Sequence, residues 1–406
     1  MRKINVGDFA RATRSTSRKI NLQIALNLVR EHQPISRADL ARRMKLNRGT
    51  MTALVNELVS EGTVVEGETA STTRGRRPKM LYVRTRDRLV IGVDLRFSRT
   101  TLMVSDFAGT QSTRESFETV FDPPALVAEL AQRILQLRER YASVGEIEGI
   151  GMVVPGMVDQ ATGRVQNAPQ LGWKDVEIRG PLEEATGIPV VLDNASIACA
   201  QAYMWLGKKD GGSADDFVYV MVSDGLGVGV VVNGQVMRGA GNTAGEFGHV
   251  PIDLNGPRCL CGARGCWEAY TSNLATLARY QGVEFSPREG RRLSDPASLT
   301  VPQLVDLARR GDARALAAVR ETGFYLGVGL ASIINVANPS RIVVGGEITG
   351  AWDLIEDTIR AMIRERALTP RAAETPVTPE PMDQFPRLRG AAALVAAPVF
   401  AAPRVA

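Results

Sequence analysis

The chain has 406 residues, of which 44% are hydrophobic and 23% charged, as in ordinary globular proteins of two or three domains. No apolar run reaches the ~18 residues that a membrane span needs, and the basic N-terminus lacks the apolar core of a signal peptide, so a cytoplasmic protein without a membrane partner is expected. Residues 1–88 carry 19 basic and 8 acidic side chains, whereas the remainder carries 30 and 36. A basic head on an acidic body favours a polyanionic partner, although a merely solvated basic surface gives the same count.

The first predicted unit covers residues 17–83 and contains three helices followed by a β-hairpin. Apolar residues at helical spacing predict a first helix over roughly 17–30. Ser36 is suited to begin a second helix and Asn47 a third, which ends near Gly62. Two short β-prone runs joined by a polar, basic loop complete the unit. This order of elements is typical of a winged helix-turn-helix.

In such a motif the third helix enters the major groove of DNA, led by its N-terminal residues. Arginine and asparagine suit guanine and adenine edges, threonine suits a thymine methyl or a phosphate, and a basic loop suits phosphates or a narrow minor groove. A protein-interaction module is the alternative, but the basic loop favours DNA. The predicted DNA-binding residues are Arg48, Thr50, Met51, Thr52, Asn56, Arg74, Arg76, Arg77 and Lys79.

From Leu89 onward, β-branched runs that end in Gly, Asp or Asn alternate with helical stretches such as 124–141, which predicts an α/β fold. The stretch LVIGVDLRFSRTTLMVSDFAG has a counterpart in FVYVMVSDGLGVGVVVNGQV, and each consists of a strand, a polar turn and a second strand. Two such halves with a cleft between them predict a two-lobed, actin-like body of the sugar-kinase type.

The predicted domain boundaries follow from these patterns. They are 1–85 for the head, 86–198 for the first lobe and 199–406 for the second lobe, with the C-terminal helix a candidate to return to the first lobe. Residues 285–300 are expected to form a surface loop. The Ala/Pro-rich tail after Ala391 is expected to form a final apolar helix or an extended end.

Three of the four cysteines, Cys259, Cys261 and Cys266, lie within eight residues, and His249 precedes them by ten. Three thiolates and one imidazole form a closed tetrahedral set for Zn²⁺, which predicts a structural rather than a catalytic zinc ion. Glycines between the cysteines allow the loop to fold back on itself. A loop of reduced thiols is the alternative, and the isolated Cys199 is interpreted as a core thiol.

Several of these segments together carry a resemblance to a known family. They are the Gly-Glu-Phe-Gly-His stretch, the Cys-x-Cys-Gly-x-x-Gly-Cys-x-Glu stretch, VVPGMVD, NAPQLGW and NPSRIVVGGEI. The chain resembles the ROK family (repressors, open reading frames and kinases) over roughly residues 17–400, and the cysteine stretch is the most specific of the motifs. With its predicted head, the chain is similar to the family's regulators of glucose, xylose and N-acetylglucosamine metabolism.

The resemblance implies a sugar site and a set of residues that form it. By their positions in the family motifs, Asn194, Glu246, His249 and Glu268 would contact sugar hydroxyls, and Asn167 is a weaker candidate. Carboxylates and amides form directional hydrogen bonds with a polyol. His249 would bind zinc through one nitrogen and offer the other to the ligand.

Three departures from the family's kinases affect the nucleotide side of this site. Asp94-Leu95-Arg96-Phe97-Ser98 stands where kinases have Asp-x-Gly-Gly-Thr, whose backbone approaches the ATP phosphates. Ala195 stands where they have the Asp that takes the proton from the sugar hydroxyl, unless the register is shifted by one and Asp193 is the base. Leu226 replaces a Thr in the second Gly-rich turn.

These patterns predict a non-enzymatic DNA-binding regulator, a repressor in preference to an activator, that binds an operator in double-stranded DNA. A sugar or sugar derivative is the expected ligand, zinc the expected cofactor, and a homodimer or tetramer the expected assembly. One alternative is an active ATP-dependent sugar kinase with a fused DNA-binding head. A second alternative is a regulator without a sugar ligand that is driven by a protein partner.

Overall fold

The computed structural model describes residues 14–69, 78–206, 216–295 and 298–401. The chain forms two compact units. One consists of Met1–Arg88 with Ala396–Ala406 and is called the head, and the other consists of Leu89–Val395 and is called the body. No helix within the described ranges is both long and apolar enough to cross a membrane.

Three helices and a three-stranded antiparallel sheet form the described part of the head. As predicted, the Ser36 hydroxyl accepts a hydrogen bond from the Asp39 N–H at 3.2 Å, and the Asn47 side chain accepts one from the Thr50 N–H at 2.8 Å. Each bond satisfies a backbone donor that has no partner inside its helix. The elements are α1 (Arg14–His32), β1 (Ile35–Ser36), α2 (Arg37–Met44), α3 (Arg48–Ser60), β2 (Val64–Thr69) and β3 (Lys79–Val83), with the sheet order β1-β3-β2.

The body alternates strands and helices, which confirms the predicted α/β fold. Its strands are β4 (Arg88–Leu95), β5 (Arg99–Asp106), β6 (Gln111–Glu118), β7 (Glu146–Val154), β8 (Met157–Asp159), β9 (Arg164–Ala168), β10 (Trp173–Glu177), β11 (Val190–Asn194), β12 (Phe217–Val222), β13 (Leu226–Val232), β14 (Gln235–Val236), β15 (Arg341–Gly346) and β16 (Val377–Pro379). Its helices are α4 (Pro123–Tyr141), α5 (Arg179–Thr186), α6 (Ala195–Leu206), α7 (Glu268–Thr271), α8 (Asn273–Gln281), α9 (Pro287–Leu293), α10 (Val301–Arg309), α11 (Ala313–Ala337), α12 (Trp352–Arg366), α13 (Pro370–Ala373) and α14 (Pro386–Phe400).

Two five-stranded sheets with equivalent strand orders lie at the centre of the body. The orders are β11-β7-β4-β5-β6 and β16-β15-β12-β13-β14. In each sheet the first two strands form an antiparallel hairpin, β4 with β5 and β12 with β13, and a later strand, β7 or β15, lies beside the first. The strand–turn–strand repeat predicted from the sequence is therefore confirmed.

Helices cover both faces of the first sheet, and this explains the continuous apolar run of β4. Ile91 and its alternate neighbours pack in one core with Leu130 and Ile134 of α4. Side chains alternate between the faces of a strand, so Gly92 faces the opposite side, where a Cβ would lie 3.0 Å from the Leu388 carbonyl of α14. A Cβ at Gly151 of β7 would lie 1.7 Å from the Ala391 carbonyl, so only glycine allows α14 to approach this closely.

The structure differs from the sequence prediction at two connections. Residues 285–300 are not a simple surface loop, because Ser286 caps α9 and Thr300 forms a capping box with Gln303 at the start of α10. The tail after Ala391 is helical, and its helix begins earlier, at Pro386. The last residues of α14 group with the head, where Gln23 and Asn27 of α1 donate hydrogen bonds to the Val399 and Phe400 carbonyls at 2.8 Å.

Candidate functional site

Four side chains of the predicted metal set converge at one point of the body. The ligand atoms of His249, Cys259, Cys261 and Cys266 all lie within 4.8 Å of one another. The Cys261 and Cys266 sulfurs are 3.7 Å apart, and the Cys259 sulfur is 3.8 Å from His249 Nδ1. Two sulfurs at Zn–S distances of about 2.3 Å in a tetrahedral site are about 3.8 Å apart. The cluster therefore has the dimensions required to hold one tetrahedral metal ion.

The loop that carries the cysteines folds back as its glycines predict. Gly262 and Gly265 have φ angles of 96° and 70°, in the region that favours glycine. A Cβ at Gly265 would lie 1.5 Å from the Asp253 carbonyl. The Cys259 N–H donates to the Ala263 carbonyl, which closes the tight turn between the first two cysteines and the third.

The buried thiols of Cys259 and Cys266 lose their protons only if a positive charge lies beside them. Burial raises the pKa of the Cys266 thiol to about 11, and burial together with the Glu268 carboxylate raises the pKa of Cys259 further. A divalent cation reverses this effect because thiolates are its ligands. The donor set of three sulfurs and one imidazole is the set that zinc prefers.

A cavity that encloses about 760 Å³, including space open to solvent, lies beside the metal cluster, and His249 and Cys261 belong to both. His249 directs Nδ1 toward Cys259, while its Nε2 lies 3.7 Å from the Glu246 carboxylate, and both His249 and Glu246 line the cavity. Burial raises the pKa of Glu246, the Glu268 charge adds to the rise, and His249 opposes it. An ion bound at the cluster would thus fix the orientation of one wall of the cavity.

Glu268 lines the same cavity and is only 6% exposed. One carboxylate oxygen accepts a hydrogen bond from the Leu226 N–H at 2.8 Å, and the other lies 3.3 Å from the Cys259 sulfur. A Cβ at Gly225 would lie 2.7 Å from the first oxygen, which explains the glycine in this turn. Glu268 therefore links the cysteine loop to the Gly-rich turn after β12.

The two asparagine candidates differ in their positions. Asn194 lines the cavity; its amide donates to the Gly156 carbonyl at 2.7 Å and accepts from the Ser196 N–H at 2.8 Å. Asn167 lies in β9 and is not among the residues that line the cavity, so its contact with a sugar stays a prediction. Gln170, three residues further on, lines the cavity and was not predicted from the sequence.

An ion-pair network lines another part of the cavity. Arg96 donates to Glu347 at 2.6 Å and to the Ser223 hydroxyl at 2.5 Å. Arg387 of α14 donates to Asp94 at 2.8 Å. Arg96 and Arg387 both line the cavity, and their charges are already matched by carboxylates.

The pKa values of this network follow from burial and from the two guanidinium groups. Burial tends to raise the pKa of Glu347, but the Arg96 charge and hydrogen bonds from Asn273 and Arg96 outweigh it, so the net pKa lies below its ordinary value. Burial raises the pKa of Asp224, and Arg96 offsets this only in part. The network thus favours the charged form of Glu347, whereas burial favours the neutral form of Asp224.

Asp193 and Ala195 flank Asn194 but lie in different surroundings. Ala195 lines the cavity, whereas Asp193 is 1% exposed and does not line it. Both carboxylate oxygens of Asp193 accept hydrogen bonds from Arg238, at 3.2 Å and 2.5 Å. Ala195, not Asp193, therefore faces the cavity directly after Asn194.

The second candidate surface is the N-terminal half of α3 in the head. Arg48, Thr50 and Thr52 are exposed there, as a reading helix requires. Met51 is 1% exposed and packs in the core of the head, so the prediction that it contacts DNA is corrected. Its burial follows from helical spacing, since Met51 shares its face with the buried Leu54 and Val55.

Asn56, one turn further along α3, is held by a residue that the sequence reasoning missed. Arg37 of α2 donates to the Asn56 side chain at 2.9 Å and to Glu66 of β2 at 2.9 Å. The predicted DNA contact Lys79 also donates to Glu66, at 2.7 Å. Hydrogen bonds from Lys79 and Arg37 lower the pKa of Glu66. The other predicted loop contacts, Arg74, Arg76 and Arg77, lie outside the described residues.

Comparison with known proteins assigns the family. The family model described as "ROK family" matches residues 90–397. The chain belongs to the ROK family. It is 29% identical over 383 residues to the xylose repressor of Bacillus subtilis (strain 168), and the match covers 93% of this chain and 95% of that protein.

Two solved structures of the family match different shares of the chain. A ROK family transcriptional regulator, a homologue of the Escherichia coli MLC protein, is 26% identical with a TM-score of 0.78, and the match covers 95% of this chain and 97% of that one. A ROK family glucokinase from Streptomyces griseus, in complex with glucose and AMPPNP, is 26% identical with a TM-score of 0.65. The match covers 99% of that chain but only 76% of this one. The kinase-type fold is therefore shared, whereas the regulator matches nearly the full length.

Proposed function

We propose that the protein is a DNA-binding repressor whose operator affinity is controlled by a sugar or sugar derivative. The observation that carries this proposal is the near-complete match, head included, to a xylose repressor and to a ROK family transcriptional regulator. The head is a winged helix-turn-helix in this proposal, with α3 as the reading helix and β2–β3 as the wing. Operator sites for such heads are paired, so the protein acts as a homodimer or tetramer.

The contact surface on DNA is formed by exposed residues of the head. Arg48, Thr50, Thr52 and Asn56 read the major groove, and Arg37 holds Asn56 in place. Lys79 and the basic segment that contains Arg74, Arg76 and Arg77 bind phosphates. The Lys79–Glu66 ion pair places this positive charge at the base of the wing.

The metal in this proposal is a structural zinc ion held by the cysteine loop. Cys259, Cys261, Cys266 and His249 Nδ1 complete a tetrahedral set, so no coordination position is left for a substrate. The ion orders the loop and fixes His249, whose Nε2 is then protonated and able to donate to a ligand.

Asn194, Glu246, His249, Glu268 and Gln170 are the proposed sugar-binding residues. Glu246 and His249, whose carboxylate and Nε2 lie 3.7 Å apart, offer an acceptor and a donor on the metal side of the cavity, while Glu268 and Asn194 have part of their capacity engaged with the backbone. Such a mixture of a few polar groups in a concave site suits a polyol.

A sugar should stabilise the body, and Glu246 should be required for this effect. We expect glucose, xylose or N-acetylglucosamine at 10 or more times its Kd to raise the melting temperature of the wild type, since ligand binding to the folded state alone adds about 1.4 kcal/mol at that concentration. Glu246→Gln, which keeps the shape of the side chain, should lose the shift, while Glu284→Gln at an exposed position should keep it. If no sugar shifts the wild type, the ligand is not a sugar and a protein partner becomes the better explanation.

Loss of kinase activity is the second part of the proposal, and three observations support it. The Arg96 guanidinium, paired with Glu347 and Ser223, occupies the side where family kinases approach ATP phosphates. Ala195 cannot accept a proton from a sugar hydroxyl. Asp193, the one alternative base, is held by Arg238 and does not line the cavity.

We expect no ATP-dependent phosphorylation of hexoses or xylose by the wild type or by Ala195→Asp. The substitution restores the general base, but the Arg96–Glu347 pair still fills the phosphate side. A coupled ADP-release assay, with an active ROK glucokinase as positive control, measures this. Turnover by the wild type above 1% of that control would establish the fused-kinase alternative and refute the loss of activity.

A further inference from the structure

We propose that the ligand is larger than one sugar ring, and that its second group occupies a side cavity next to the proposed sugar site. The chemical class is a glycoside, either a disaccharide or a sugar joined to an apolar aglycone. This inference rests on the proposed sugar-binding function and extends it.

The side cavity is a groove that encloses about 350 Å³, including space open to solvent, and it adjoins the larger cavity. Pro169, Gln170 and Leu260 line both cavities, so the two adjoin along these three residues. In this proposal a ligand whose first ring lies against Glu246 and Glu268 extends past Leu260 into the side cavity.

The walls of the side cavity suit an apolar ring face. Phe97 lines it, and its ring packs against Phe121 with a centroid distance of 5.0 Å, which holds the aromatic side chain in place. The buried Leu274 lies on another wall. The C–H face of a sugar ring and an aryl group are both apolar surfaces that gain by leaving water against such a wall.

Polar groups at the same cavity supply directional contacts. Arg291 and Ser294, on and just after α9, line it together with Gln170. Arg291 is exposed, so it can donate to hydroxyls at the entrance while the aromatic wall contacts the ring. A predominantly apolar lining with a few placed polar groups is the usual composition of a small-molecule site.

The test compares free sugars with their glycosides by isothermal titration calorimetry on the full chain. The probes are glucose, xylose and N-acetylglucosamine, each as the free sugar and as the α- and β-phenyl glycoside. For at least one sugar we expect a phenyl glycoside to bind about tenfold tighter than the free sugar, as expected from burying an aryl group. Equal or weaker binding of every phenyl glycoside would overturn the inference while leaving the sugar-binding function intact.

Variants locate the effect within the side cavity. Phe97→Ala should reduce the preference for the phenyl glycoside to less than about threefold while leaving free-sugar affinity unchanged, because only the second group contacts Phe97. With maltose and cellobiose added as disaccharide probes, Arg291→Ala should weaken their binding, whereas Arg288→Ala, on the same helix but outside the lining, should not. A preference that survives Phe97→Ala would overturn the assignment of the cavity, and failure of every probe to bind would refute the sugar-binding function itself.

Discussion

Replacing Cys261 with serine is expected to abolish stoichiometric zinc binding and to destabilise the body. The substitution removes one of four ligands whose separations match a tetrahedral ion, and the two buried thiols are left without a compensating charge. Loss of a structural metal costs on the order of 4 kcal/mol or more, which is about 8 °C in melting temperature for a domain of this size. Elemental analysis of the purified protein and differential scanning calorimetry measure the two effects.

The matched control for this experiment is the remaining cysteine. Cys199 is buried in a separate apolar cluster with Phe217 and Met221, and burial raises the pKa of its thiol, so it stays neutral. Cys199→Ala should therefore keep one zinc ion per chain. Full zinc content in the Cys261→Ser protein would show that the four side chains do not form the site.

Replacing Arg48 with alanine is expected to weaken operator binding by about tenfold to a hundredfold at fixed salt, the range for losing an arginine contact to a base. Arg48 is exposed at the first position of α3, where a reading helix contacts base edges. Binding to unrelated DNA should fall much less, because phosphate contacts supply most of that affinity. Fluorescence anisotropy with operator and scrambled duplexes measures both.

A second arginine of the head serves as the control for Arg48. Arg86 is exposed and lies three residues after the end of β3. The last residue of β3, Val83, pairs with Val64, which follows the C-terminal end of α3, so Arg86 is close to that end of the helix. Arg86→Ala removes the same charge from the opposite end of the helix and should leave operator affinity within about threefold. Equal losses in the two variants would mean that charge alone, and not the N-terminal half of α3, determines binding.

Local sequence signals predicted much of this structure because their physical causes are local. The caps at Ser36 and Asn47 depend on a side chain and a backbone N–H three residues away. The metal cluster depends on a loop in which Cys259, Cys261 and Cys266 are separated by a few residues and glycines allow the turn. The equivalent hairpins of the two sheets were visible as a repeat of strand, turn and strand.

Other features depend on contacts between residues that are distant in the sequence. Arg387 reaches Asp94 across 293 positions, and Arg96 reaches Glu347 across 251, so no local pattern indicates that the two arginines line one cavity. The position of Met51 near the helix start predicts a DNA contact, whereas its spacing with Leu54 predicts the burial that the structure shows. Gln170 carries no separate signal, because the family motif points to the neighbouring Asn167.

The link between sugar binding in the body and DNA binding by the head is tested most directly by measuring operator affinity with and without the sugar. Genome-wide mapping of bound DNA provides the operator, and the sugar with the largest thermal shift provides the ligand. For a sugar-controlled repressor we expect saturating sugar to weaken operator binding by about tenfold, within the usual range of coupling between two sites, and Glu246→Gln to abolish the effect. An operator affinity that is the same with and without a sugar that demonstrably binds the body would contradict the account.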